Sequence, residues 1–168
     1  MAGDRWNHNN FAVPPERLAG VRECMDALFP WARFVDKPHL LGYRLGDDLY
    51  EAAVYFRPVA AMGALERLLG ELRTERPELD AALAGLASAE ADYADHCGFR
   101  VATVEAWEDG LARVERVARE RPEFAVRVID VLRPGDGRAP TDDLFQAFIR
   151  VGVLGPLRNT FEMQAVRR

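Results

Sequence analysis

Two cysteines, Cys24 and Cys97, are all that this chain of 168 residues carries, too few for a disulfide framework. Neither has a second Cys or a His at the spacing of a CxxC-type motif, so reduced thiols in a cytoplasmic setting are the expectation. Lysine is scarcer still, with Lys37 alone among basic residues that are otherwise arginine. Concentrated positive charge is missing as well: the formal net charge is −5, and Arg is interspersed with Asp and Glu. No surface is made to neutralise a phosphate backbone, which sets nucleic acid aside as a partner. No stretch approaches the roughly 18 consecutive apolar residues of a membrane span. The opening MAGDRWNHNN lacks the basic region and apolar run of an export signal, so a soluble, unexported protein is expected. Histidine is rare too, with three in all, yet two of them sit at the same point of two similar segments.

What is present is enough for a core, since 49 % of residues are hydrophobic and 10 % aromatic. After NHNNFAV come Pro14 and Pro15, placed for a helix start, then Leu18, Val21, Met25, Leu28 and Phe29 at helical spacing. Pro30 ends that helix, and ARFVD, HLLGYRLG and LYEAAVYF follow as short β-rich runs. Residues 5–58 therefore read as a βαβββ module. A second begins at DHCGFRV and continues into a helix with Val104, Trp107, Leu111, Val114 and Val117 on one face, stopping at Pro122. The strands FAVRVIDVL, LFQAFIRV and TFEMQAV follow, so residues 93–168 repeat the βαβββ order. Residues 59–92 between them are rich in Ala, Leu, Glu and Arg, with Pro77 dividing two helix-like pieces, and read as an inserted helical hairpin.

The repeat is specific in register. His8 precedes Val13 by five positions and His96 precedes Val101 by five, while Phe11 and Phe99 each lie three after their histidine. Strand alternation puts Phe and Val under the module's own helix and His on the opposite face. The last strands match too, Tyr50-Glu51 against Phe161-Glu162, each with an acid directly behind an aromatic residue. Two His and two Glu at repeated positions point to one shared site.

A pair of βαβββ modules with His on each first strand and Glu on each last strand resembles the vicinal oxygen chelate superfamily. That group includes glyoxalase I, extradiol dioxygenases and bleomycin-type resistance proteins. The resemblance implies an α+β fold in which two paired modules form a curved mixed sheet cleft around a divalent metal. It also implies His8, Glu51, His96 and Glu162 as ligands, a small-molecule substrate and a homodimer. Such a donor set suits Ni, Co, Mn, Fe or Zn. The metal would act as a Lewis acid while a carboxylate, Glu51 or Glu162, removes a proton beside a carbonyl, as in lyase and isomerase members.

Glu51 and Tyr55 share a strand face, so either could stand at the first module's ligand position. With Tyr55 there, His8, His96 and Glu162 remain as the two-histidine, one-carboxylate set of Fe(II) oxygenases. A third reading is a metal-free protein that sequesters a small molecule such as an antibiotic. Alternation places Arg100 on the His96 face and sets Gln146 and Arg150 on one face of their strand, which makes these three candidates for substrate binding. Cys97 falls on the opposite face as a core residue, and His39 reads as a loop histidine. The loop RPGDGRAPTDD lacks the strand-to-helix setting of a phosphate cradle and reads as a flexible edge of the cleft.

Overall fold

The computed structural model describes residues 8–46, 52–86, 96–138, 141–155 and 159–167. The chain divides into two compact units, residues 1–67 and 68–168, each built around a four-stranded sheet.

In the first unit β1 (His8–Val13) leads into one turn of 3-10 helix at Pro15–Arg17 and then α1 (Leu18–Leu28). Pro15 starts this segment because a first-turn N–H has no helical partner to lose. The helix buries Leu18, Val21, Cys24, Met25 and Leu28, a stripe at helical spacing. It stops where Pro30 drives Phe29 into extended backbone, with the Phe29 N–H bonded to the Met25 carbonyl. Next come β2 (Ala32–Lys37), β3 (Leu40–Arg44) and β4 (Ala53–Pro58). β4 returns beside β1 in parallel and gives the order β1-β4-β3-β2. Two helices follow β4, α2 (Ala60–Glu75) and α3 (Pro77–Leu86), with Pro77 opening α3; the end of the 59–92 segment lies outside the described residues.

The second unit has β5 (His96–Arg100), α4 (Val104–Glu120), β6 (Val126–Leu132), β7 (Leu144–Val151) and β8 (Thr160–Val166), in the order β5-β8-β7-β6. Thr103 caps α4, its hydroxyl accepting from the Ala106 N–H at 3.1 Å. Trp107, fully buried, donates its indole N–H to the Met163 carbonyl at 2.9 Å and sets its ring against Phe145. Gly110 lets the helix lie this close, since a Cβ there would come within 2.7 Å of the Met163 sulfur. Sequence pattern extends the strand before β7 back to Phe124, but Pro122–Phe124 form a turn of 3-10 helix and Ala125 takes a left-handed φ of 48°. The strand therefore begins at Val126.

The two sheets share strand order and one irregularity the sequence did not announce. β2 bulges between Arg33 and Val35, and β6 between Val128 and Asp130. In each sheet the residue just after the bulge stands in the same row: Val35 opposite Gly42 and Tyr55, Asp130 opposite Phe148 and Glu162. The fold is thus α+β, with two mixed four-stranded sheets of repeated topology.

Candidate functional site

On β5 alternation buries Cys97 and Phe99 and turns His96, Gly98 and Arg100 the other way. Pairing sets His96 opposite Thr160, Gly98 opposite Glu162 and Arg100 opposite Gln164 on β8. Continuing across to β7, Thr160 faces Arg150, Glu162 faces Phe148 and Gln164 faces Gln146. The face away from α4 is therefore a grid, with Glu162 at its centre.

Glu162 is only 4 % exposed, which is costly for a carboxylate unless its oxygens are met. One oxygen, Oε1, accepts from the amide of Gln146 and from that of Gln164, the latter at 2.7 Å. The other, Oε2, lies 3.0 Å from His96 Nε2. The His96 ring stands edge-on to Phe148, with centroids 5.5 Å apart and planes at 86°, which fixes its direction. Gly98 makes room for the carboxylate, because a Cβ at that position would sit 3.3 Å from Glu162 Oε2. Gln146 spends its amide N–H on Glu162 while its own Oε1, buried, meets no partner. That acceptor is left for a ligand donor.

The structure brings together His96, Glu162 and Gln146, and puts Arg100 and Arg150 on the same face of the same sheet. Gln164 and Thr160, absent from the sequence candidates, belong to this face as well. Counting by twos from Glu162 would have found both.

In the first sheet, His8 pairs with Ala53 and Asn10 with Tyr55, so Tyr55 holds the register position that Glu162 holds in the second. Its ring meets His8 edge-on at 5.8 Å and Phe34 at 5.7 Å. Glu51 lies outside the described residues. His39 falls, exposed, in the turn between β2 and β3.

Imidazole and carboxylate donors suit a divalent metal. Among the described residues no group of three or more His, Cys, Asp and Glu side chains is gathered for one. The His96–Glu162 pair nevertheless fits two places of a shell. Donors about 2.1 Å from an ion and at right angles lie about 3 Å apart, the separation that Nε2 and Oε2 show. Gln146 Oε1, buried without a partner on the same amide that donates to Glu162 Oε1, has the chemistry to accept from a metal-bound water or a substrate hydroxyl.

No family model matches the chain, and no curated protein matches it. Solved structures do. Lactoylglutathione lyase from Agrobacterium tumefaciens aligns with a TM-score of 0.53 at 11 % identity, covering 98 % of this chain and 96 % of that one. A glyoxalase/bleomycin resistance protein/dioxygenase from Nocardioides aligns with a TM-score of 0.50 at 9 % identity, covering 100 % of this chain and 87 % of that one. At such identities the likeness lies in the fold.

Proposed function

The chain has the fold seen in the vicinal oxygen chelate superfamily, and from that premise we propose a divalent-metal-dependent enzyme that moves a proton beside a carbonyl of an oxygen-rich small molecule. The observation that carries this reading is the 3.0 Å approach of His96 Nε2 to Glu162 Oε2 on a buried, amide-anchored carboxylate. His96 and Glu162 would hold the metal, and the resemblance adds His8 to the ligand set. When bound, the ion supplies Lewis-acid stabilisation of negative charge on a substrate oxygen.

The chain's own groups divide the remaining work. Gln146 and Gln164 keep Glu162 Oε1 in place, so that Oε2 is the oxygen that would meet the metal beside His96 or, when not bound to it, take and return a proton. Phe148 holds the imidazole edge-on, and Arg100 and Arg150 orient the substrate from the same face.

A second reading, an Fe(II) oxygenase using His8, His96 and Glu162, is favoured by one observation: Tyr55, not an acid, stands at the register position matching Glu162. Elemental analysis after reconstitution with Ni, Co, Mn, Zn or anaerobic Fe(II) tests both. About one equivalent of metal, lost in His96→Ala, supports an enzyme, and substrate-dependent oxygen uptake assigns it to the oxygenase class. Wild type that takes up none of these metals would make the protein a metal-free binder of small molecules.

A further inference from the structure

Gln146 is 7 % exposed, and strand pairing sets it between Gln164 on β8 and Leu132 on β6. Alternation along β7 puts it on the same face as Phe148, in the row next to that of Glu162. Its amide has one workable orientation. The N–H donates to Glu162 Oε1, and turning the group over would bring the amide oxygen against an oxygen of the ionised carboxylate, two acceptors with no proton between them. The Gln146 oxygen is therefore directed elsewhere, and there it is buried and meets no partner.

A stranded acceptor of this kind costs stability, since the water it gave up on folding is not replaced. Leu132 and Phe148, beside it on the face, have side chains with no donor to give. Nor does the oxygen help to hold Glu162. That hold uses the amide N–H alone, and Gln164 supplies a second one at 2.7 Å from a part-buried position, without a stranded oxygen of its own. A buried acceptor joined through one carbon to the nitrogen that grips a functional carboxylate is placed to read a donor on whatever Glu162 acts upon.

We infer that Gln146 sets the specificity of this site by demanding a donor: its Oε1 accepts a hydrogen bond from a free hydroxyl beside the substrate's carbonyl. Hydroxylated ketones or aldehydes are taken, while their ethers, and the same skeletons without the hydroxyl, are refused. This inference rests on the site proposed above, but it concerns a bond to the protein and not to a metal, so the two can fail separately. Refusal is the stronger half of the effect. An analogue without the hydroxyl leaves the Gln146 oxygen unpaired beneath it, which is why a missing hydroxyl is discriminated against far more strongly than a missing methylene.

Ligand-observed NMR titration of the whole chain, metal-free and Zn(II)-loaded, tests it with three neutral probes. These are hydroxyacetone, methoxyacetone, which keeps the oxygen and loses the donor, and butanone, in which a methyl group takes the hydroxyl's place. Hydroxyacetone is expected to bind at least about tenfold more tightly than either of the others in both forms of the protein. Gln146→Met should reduce that preference to about twofold or less, whereas Gln164→Met, which also removes an amide from Glu162 but leaves the Gln146 oxygen, should retain it. A residue that only braced Glu162 would shift all three probes together. Should Gln146→Met fail to fold, Gln146→Asn keeps an amide, withdraws its oxygen by one methylene and should lose most of the preference. Hydroxyacetone that fails to bind or binds no better than butanone would overturn the inference. So would a preference that methoxyacetone shares, that needs Zn(II), or that survives in the Gln146 variants. A preference that depends on Gln146 in a protein that takes up no metal would uphold it while removing the metal-dependent reading.

Discussion

Tyr55 and Glu162 occupy one and the same place in two repeated sheets. Each lies opposite the residue two beyond the first-strand histidine, and each shares its row with the residue that follows the bulge. One sheet puts a phenol beside its histidine, and the other puts a carboxylate 3.0 Å from it. The two sheets share their backbone pattern and differ in the chemistry at this position.

From this follows the first prediction, on metal content. Glu162→Gln preserves shape but withdraws the charged oxygen at His96, and metal affinity should fall at least about a hundredfold. Glu51→Gln should leave affinity within about twofold, because strand register assigns the matching position to Tyr55. Both are read by metal titration with elemental analysis. Equal loss in the two variants would return Glu51 to the ligand set.

Gly98 provides a second test. Adding a Cβ there puts a carbon 3.3 Å from Glu162 Oε2, a contact that the carboxylate relieves by giving way a few tenths of an ångström. Gly98→Ala should fold with a loss of about 1 kcal/mol, at the lower end of overpacking costs. It should also weaken metal binding about tenfold, as disturbance of supporting contacts does. Urea denaturation measures the first effect and metal titration the second. A variant as stable as wild type and with unchanged affinity would show that Glu162 does not depend on that space.

Much of this was legible in the sequence, and the reasons differ element by element. The limits of α4, β7 and β8 follow from strong periodicity between clear breakers, Thr103 and Pro122 around the helix among them. The pairing of His96 with Glu162 could be expected only from the repeat, because their 3.0 Å approach depends on parallel register between strands far apart in sequence. The match of Tyr50-Glu51 to Phe161-Glu162 illustrates the limit. Likeness of adjacent letters favoured it, whereas the ladder aligns Tyr55 with Glu162, four residues further on. Register is a property of hydrogen bonding across strands, which a single strand's composition does not carry. The bulges were hidden for the same reason, whereas the left-handed Ala125 ends a 3-10 turn that an alanine does not announce.

Trp107 ties the core to the site. Its indole N–H on the Met163 carbonyl fixes α4 against the residue next to Glu162. Trp107→Phe loses that bond and part of a fully buried ring, at an expected cost of about 2–3 kcal/mol. The disturbance should reach Glu162 through β8 and weaken metal binding severalfold even at concentrations of denaturant where the protein stays folded. Chemical denaturation followed by metal titration checks both. A stability loss with wholly unchanged affinity would mean that β8 holds its position without the helix.

Tyr43 makes the first unit sensitive to alkali. The ring is fully buried, and the hydroxyl donates to Asp26 Oδ1 at 2.8 Å, an acid that also pairs with Arg33 at 2.9 Å. Burial first, and then the Asp26 carboxylate, push the phenol's pKa well above its ordinary value. A folded-state pKa above the unfolded value of about 10 means the protonated form is favoured by folding, so this contribution is complete below pH about 10. It is lost as pH rises toward the folded pKa, at about 1.4 kcal/mol per unit. Tyr43→Phe should therefore be about 1 kcal/mol less stable than wild type at pH 8, the worth of a hydrogen bond. The gap should close and then reverse between about pH 10 and 11, because the variant no longer carries the titrating group. Urea denaturation of both proteins across that range decides the matter: a gap that stays constant would show that the Tyr43 hydroxyl titrates as freely in the folded protein as in the unfolded chain.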